Sequence, residues 1–189
     1  MKKISLLLSL FTLLTVFSGQ AQTKIGDATL PNTITFSGEN LIINGAGLRE
    51  KFFFDIYAGG LYLKKKSKNA SEIAAADETM AIKLHILSGM MSKSKMQSAL
   101  RDGFDKATNY NTKSLDKRIN QFIGYMKDEI EVGQIYDLVY IKGKGMVLYK
   151  DNIEKGTIEG LDFKKALFNI WLGKKPADGG LKDEMLGDI

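Results

Sequence analysis

Apolar and polar residues alternate along several short stretches of the chain, which is the pattern of β-strands that bury one face. Residues 79–87 show it most clearly, with Met80, Ile82, Leu84 and Ile86 on one face and Ala81, Lys83, His85 and Leu87 on the other. The alternation predicts a half-buried strand. Further strand-like runs lie at 34–36 and 41–43, where Ser37 and Gly38 between them predict a hairpin. Others, also bounded by turn residues, lie at 134–141, 145–150 and 152–158.

The segment from Asn44 to Lys65 carries the strongest local signals. Asn44 to Gly47 predicts a tight turn, because its two glycines adopt conformations that other residues avoid. The aromatic run that follows predicts a strand from Phe52 to Ala58. Gly59-Gly60 then predicts a bulge or a tight hairpin before a short strand at residues 61–63.

Helical periodicity appears in five places. The longest predicted helices cover residues 92–104, which begin at Ser92 or Ser94, residues 114–126, and residues 162–172, which end at Gly173. Shorter helices are predicted at 73–76, with Asn69 or Ser71 as the cap, and at 181–186. Strands, helices, strands and a helix follow one another in this order, which favours an α+β fold with a mostly antiparallel sheet.

The first residues have the pattern of a targeting segment. Lys2 and Lys3 precede an apolar run over residues 4–17, and Gly19-Gln20-Ala21 places small residues where a signal peptidase cleaves. We expect residues 1–21 to be a cleaved signal peptide and residues 22–189 to be one domain in the periplasm or outside the cell. The alternative is a membrane anchor, but the run is shorter than the roughly 20 residues that span a bilayer. No stable membrane anchor is therefore expected after cleavage.

Composition removes several classes of function. The chain has no cysteine and a single histidine, His85, so thiolate metal sites, a catalytic thiol and clustered-histidine metal sites are excluded, and neither a metal nor a cofactor is expected. Loss of Lys2 and Lys3 leaves 25 basic and 22 acidic side chains, a net charge of +3. This charge is too small to indicate nucleic-acid binding. The lysine runs at residues 64–68 and 142–150 lack a series of interleaved stacking aromatics, so they predict solvated loops or protected edge strands rather than binding to nucleic acid or an anionic membrane.

Candidate binding chemistry is concentrated at Arg49, Phe53 and Tyr57. If residues 49–57 form one extended strand, these side chains share a face, together with Lys51 and Asp55. A guanidinium, an aromatic ring and a phenol can hold an apolar molecule with an anionic end, because the arginine fork donates two parallel hydrogen bonds to a carboxylate. The alternative is structural: Arg49 pairs with a nearby carboxylate and Tyr57 fills the core. Two roles are also possible for His85: it is a proton shuttle in a cleft, or it is a solvated histidine of the sheet.

Two stretches of the chain carry short motifs that are specific when they occur together. The first is the G-x-G-x-R pattern from Gly45 to Arg49, followed by the aromatic strand from Lys51 and by Gly60-Leu61-Tyr62-Leu63. The second runs from Ala166 to Gly173 and is followed by Pro176 and Lys182. Together they resemble the chalcone isomerase superfamily, and the second stretch is similar to the closing helix of that family. The resemblance implies an open-faced β-sandwich, in which a large antiparallel sheet carries a helical layer and a ligand cleft lies between the two.

The resemblance also implies roles for individual positions. In plant enzymes of the family, the arginine of the G-x-G-x-R pattern holds the substrate oxyanion, while threonine, tyrosine and asparagine assist an intramolecular ring closure. Arg49 matches the arginine, but Tyr57 stands at the position of the threonine. Ser92 and Ala99 fall roughly where tyrosine and asparagine would stand, and Ile170 falls where the closing helix would offer a hydroxyl. Most of the catalytic polar set is therefore missing.

Three functions remain open at this point. Other branches of the superfamily bind fatty acids, which requires an apolar cleft and one cationic clamp. We therefore predict a secreted binding protein for a small amphiphilic carboxylate or phenolate, with Arg49, Tyr57 and Phe53 at the ligand and catalytic residues unknown. The alternative is an intramolecular lyase on a phenolic substrate that uses Tyr57 and His85 as acid–base groups. A secreted interaction module with a filled cleft is the third.

Overall fold

The computed structural model describes residues 21–188, so the predicted signal peptide lies outside the described residues except for Ala21. The strands of the described part are β1 (Gln22–Ile25), β2 (Ala28–Pro31), β3 (Thr33–Phe36), β4 (Glu39–Lys51), β5 (Phe54–Leu63), β6 (Met80–Ile86), β7 (Ile135–Ile141), β8 (Gly145–Lys150) and β9 (Ile153–Ile158). The helices are α1 (Ala70–Ala75), α2 (Lys93–Ala107), α3 (Asp116–Gly124), α4 (Leu161–Leu172) and α5 (Gly179–Leu186).

Strands β3 to β9 form one antiparallel sheet in the order of the chain, and β1 and β2 form a separate hairpin. The seven-stranded sheet curls so strongly that Phe36 on β3 meets Tyr149 on β8, with ring centroids 5.2 Å apart. Helices pack on the other face, where Phe104, Phe122 and Phe163 form an aromatic cluster of the main core. The prediction of an α+β open-faced β-sandwich is confirmed.

Turns and helix caps that the sequence predicts from neighbouring residues are found in the structure. Ser37 and Gly38 have positive φ angles in the turn between β3 and β4. The Ser92 side chain caps α2, the Asn69 side chain caps α1, and Gly173 ends α4 as predicted. These features depend on residues within one turn of each other, so the tertiary structure does not change them.

The predicted turn from Asn44 to Gly47 is wrong, because all four residues lie inside β4. Helix α5 packs so closely on this strand that a Cβ atom on Gly45 would overlap the carbonyl oxygen of Glu184. Asn44 holds the end of the helix, since its Nδ2 donates a hydrogen bond of 2.8 Å to the Met185 carbonyl. The glycines therefore serve a close helix–strand contact and not a turn.

The predicted strand beginning at Phe52 and the break at Gly59-Gly60 are also wrong. Phe52 and Phe53 both have positive φ angles and form the two-residue turn between β4 and β5, while β5 continues through both glycines. A Cβ atom on Gly59 would lie 2.7 Å from the Met185 methyl group, and one on Gly60 would lie 3.0 Å from Leu30. Both glycines therefore make room for neighbouring elements.

Strand β6 lies where the alternation predicts it, but both of its faces are largely buried. The sheet curls around the more polar face and encloses Lys83, whose Nζ lies 2.6 Å from Asp137 Oδ1. Strands β1 and β2 are not predicted from the sequence, and Leu30 of β2 covers Gly60 on this face. Among the described residues, no helix is long and apolar enough to cross a membrane.

Candidate functional site

A cleft of about 470 Å³ lies between the β4–β5 end of the sheet and helices α2 and α4. Its volume falls within the range of small-molecule sites, about 300 to 1,000 Å³. Apolar side chains from β5, α2, α4 and the segment before α2 form most of its wall, among them Ile56, Met91, Met96, Leu100 and Ile170. The cleft lies between sheet and helical layer, as the resemblance implies.

Arg49 enters this cleft from β4, directly opposite Tyr57 on β5. Its Nη1 donates a hydrogen bond of 2.6 Å to the carbonyl oxygen of Ala177, in the loop before α5. Within residues 21–188 no carboxylate lies within ion-pair distance of this guanidinium. The carbonyl orients the side chain without neutralising its charge. The structural alternative therefore fails for Arg49 in the described chain but holds in part for Tyr57, which belongs to the main hydrophobic core.

Tyr57 is buried at the inner end of the cleft and is held by Trp171 of α4. Trp171 Nε1 donates a hydrogen bond of 3.0 Å to the Tyr57 hydroxyl oxygen. Burial raises the pKa of Tyr57, and the nearby Arg49 charge only partly opposes that effect. The hydroxyl therefore remains protonated at neutral pH and can donate its own hydrogen.

The structure does not place Phe53 with Arg49 and Tyr57. Arg49 and Tyr57 lie on adjacent antiparallel strands, and Phe53 lies in the turn between them with its side chain fully exposed. The prediction that one strand carries all three is wrong, because the chain reverses at Phe52-Phe53. Phe52, not Phe53, lines the cleft.

The charged residues around the cleft are mainly basic. Lys51, Lys95 and Lys106 line it in addition to Arg49, against one acidic residue, Asp102. Lys95 Nζ donates a hydrogen bond of 2.9 Å to the Met90 carbonyl at the rim. A basic rim above apolar walls favours a ligand with an anionic head and an apolar body.

Positions that the resemblance aligned with catalytic groups are mostly apolar in the structure. Ala99 and Ile170 line the cleft without a polar side-chain atom, and Ser92 caps α2 instead of lining the cleft. His85 pairs with Ala58 on the opposite face of the sheet from Tyr57, so these two residues do not form one acid–base site. Burial and the adjacent Lys83 lower the pKa of His85, whose Nδ1 is buried without a partner in the described chain.

Three residues of the site are not predicted from the sequence. Trp171 lies within the predicted helix over residues 162–172, but the sequence does not indicate that its indole N–H holds Tyr57. Ala177 contributes a backbone carbonyl, which leaves no signal in the side-chain pattern. Lys95 lies in the first turn of α2, where the sequence predicts only a helix that begins at Ser92 or Ser94.

Comparison with known proteins identifies the family. Residues 22–187 match the chalcone isomerase-like family. No curated protein sequence matches the chain. The crystal structure of a fatty-acid binding protein from Arabidopsis thaliana has the same fold, with a TM-score of 0.67 at 18% sequence identity, and the match covers 85% of this chain and 92% of that one. The chain therefore belongs to the chalcone isomerase-like family.

Proposed function

We propose that the protein binds a small amphiphilic carboxylate, such as a fatty acid, in the cleft between the sheet and helices α2 and α4. The observation that carries this proposal is Arg49, an arginine oriented by the Ala177 carbonyl and not paired with a carboxylate in the described chain. The similarity in fold to a fatty-acid binding protein supports the same class of ligand.

The head of the ligand lies between Arg49 and Tyr57 in this proposal. Arg49 uses one N–H group on Ala177 and retains others for a carboxylate, and the Tyr57 hydroxyl supplies a further donor. The apolar tail runs along Met91, Met96 and Ile170. Methionine suits such a wall, because its flexible side chain adapts to the shape of the ligand.

Titration of a fluorescent fatty acid tests the head-group site. Arg49→Lys keeps the charge but loses the two parallel hydrogen bonds to the carboxylate. We therefore expect the free energy of binding to weaken by about 1.5 to 3 kcal/mol. Arg118→Lys is the matched control, because Arg118 makes a two-pronged contact with Asp162 away from the cleft. The control is expected to leave affinity unchanged. Equal affinity in wild type and Arg49→Lys, with unchanged melting curves, would show that Arg49 does not bind the ligand carboxylate.

Ring closure of a chalcone tests the alternative of an intramolecular lyase. Loss of a transition-state donor typically costs about 3 kcal/mol, and Ala99 and Ile170 offer none at the positions expected to be polar. We therefore expect no measurable acceleration in an absorbance assay with the purified protein. Turnover that disappears in Arg49→Ala would establish the lyase function instead.

The proposal includes export of the protein. Residues 1–21 have the sequence pattern of a cleaved signal, and the family match begins at residue 22. The binding protein then acts in the periplasm or outside the cell.

A further inference from the structure

The turn between β4 and β5 exposes three consecutive phenylalanines at one end of the sheet. Phe53 is fully exposed, and Phe52 and Phe54 are 73% and 57% exposed. Aromatic side chains are normally buried in the core or at an interface, and contiguous exposed apolar patches mark interaction sites. Most of the surface of these three side chains therefore lies outside the core of the described chain.

The backbone conformation of this turn is also unfavourable for aromatic residues. Phe52 and Phe53 have φ angles of 51° and 66°, a region that bulky residues avoid. A comparable two-residue turn between β8 and β9 uses Asp151 and Asn152, residue types that tolerate this conformation. Local stability therefore favours other residues at Phe52 and Phe53, and an unfavoured conformation of this kind points to a functional role.

Two lysines lie beside the exposed rings, and two carboxylates, Glu50 and Asp55, lie opposite each other one position further from the turn. Lys51 Nζ is 5.5 Å from the centroid of the Phe52 ring, and Lys95 lies across the cleft rim together with Met90. Aromatic side chains flanked by lysine suit a lipid surface, because the rings enter the interfacial region while the ammonium groups meet anionic headgroups. The lysine run at residues 64–66, at the other end of β5, has no such rings.

We propose that the hairpin tip, defined as residues 51–54, docks reversibly on a bilayer that carries anionic lipids. Phe53 inserts among the headgroups, and Lys51 binds lipid phosphate. Phe52 lines the cleft as well, so docking turns the cleft mouth toward the bilayer. Transfer of a ligand between bilayer and cleft rests on the proposed function, whereas docking itself rests only on the hairpin tip.

Ile153 provides a matched control. It is 63% exposed and directly follows the comparable Asp151-Asn152 turn, at the same end of the sheet. Its surroundings differ in charge, because Asp128 pairs with the neighbouring lysines, Lys150 and Lys155. Removal of its apolar side chain tests whether any exposed residue at this end contributes to docking.

Co-sedimentation with vesicles tests the proposal on chains that begin at Gln22, since all the described strands and helices lie between Gln22 and Leu186. The vesicles contain either phosphatidylcholine alone or equal parts of phosphatidylcholine and phosphatidylglycerol. We expect binding only to the vesicles with phosphatidylglycerol, at least about a tenfold loss of affinity in Phe53→Ser, and no loss in Ile153→Ser.

Three results would overturn the proposal: no binding to the anionic vesicles, binding that Phe53→Ser leaves unchanged, or an equal loss in Ile153→Ser. Sedimentation velocity without lipid adds a fourth. Self-association that Phe53→Ser abolishes, without vesicle binding, would make the hairpin tip a contact between two copies of the chain. Fatty-acid titration of Phe53→Ser keeps the two proposals separate, because Phe53 does not line the cleft and ligand affinity should remain that of wild type.

Discussion

At the scale of single residues, the site depends on a short chain of polar contacts in an otherwise apolar region. The Ala177 carbonyl orients Arg49, Arg49 lies opposite Tyr57, and Trp171 donates to the Tyr57 hydroxyl. Each member therefore restricts the position of the next. Such preorganisation lowers the entropic cost of binding, because the donors are already ordered before the ligand arrives.

The bond between Trp171 and Tyr57 should be measurable as a coupling energy. Tyr57→Phe leaves the buried indole N–H without an acceptor, so we expect the free energy of unfolding to fall by about 1 to 3 kcal/mol. Trp171→Phe should destabilise the fold as well, and the double variant should lose less than the sum of the two single losses. Urea unfolding of the four proteins measures this coupling, and strict additivity would contradict the hydrogen bond.

At the scale of elements, the contact between α5 and β4 determines how the site is closed on one side. Asn44 binds the last turn of α5, and Glu184 Oε2 accepts a hydrogen bond of 3.0 Å from the Leu48 backbone N–H. Two glycines bring the helix close to the strand. Ala177, which orients Arg49, lies just before this helix, so α5 and the site are mechanically linked.

Gly45→Ala tests this linkage. Its Cβ atom would overlap the backbone of α5, so the helix has to shift, and we expect a loss of stability of about 1 to 3 kcal/mol. Gly124→Ala at the end of α3 is the control, because no atom of another part of the described chain lies within 4 Å of its added Cβ. Hydrogen exchange should show faster opening of α5 in Gly45→Ala only. Unchanged exchange and stability would mean that the close packing is not required.

At the scale of the whole molecule, buried tyrosines make the free energy of unfolding depend on pH in the alkaline range. Burial raises the pKa of Tyr136 and of Tyr140 to about 12, and the Tyr140 hydroxyl also donates to Asp77. Burial raises the pKa of Tyr57 and Tyr62 too. An unfolded tyrosine ionises near pH 10, about two units lower than Tyr136 and Tyr140 in the fold.

These shifts predict a loss of stability at high pH. Between about pH 10 and 12 the folded chain retains protons that the unfolded chain has released, so the free energy of unfolding falls as pH rises. The contribution of the phenols is complete below pH 10. Urea unfolding across this range should show the decline, and Tyr140→Phe should make it shallower. An equal slope in wild type and variant would exclude Tyr140 as a contributor.

The proposed export leads to a second prediction for the whole chain. We expect the protein recovered from the cell envelope or the medium to begin at Gln22, because Gly19 and Ala21 meet the small-residue requirement of cleavage. Ala21→Arg should block processing and leave the precursor intact. N-terminal sequencing distinguishes the two forms, and intact Met1 on wild-type protein in the cytosol would contradict the prediction.

The sequence alone determined most elements and two residues of the candidate site, Arg49 and Tyr57. Strand β6, the Ser37-Gly38 turn, and the caps of α1 and α2 depend on side-chain period and on hydrogen bonds within a few residues. Arg49 was identified because its motif is local as well. Signals of this kind are complete before the chain folds, so the tertiary structure retains them.

The tertiary structure alone decided where the chain reverses and what surrounds Arg49. Glycines at Asn44–Gly47 are compatible with a turn or with close packing, and only the arrival of α5 selects the second. Phe52-Phe53 becomes a turn because the register of β4 on β5 places Arg49 opposite Tyr57, against the local preference of the rings. Trp171 meets Tyr57 across 114 positions of the chain. Contacts between residues so far apart depend on the packing of the complete sheet and helices, which no short stretch of sequence contains.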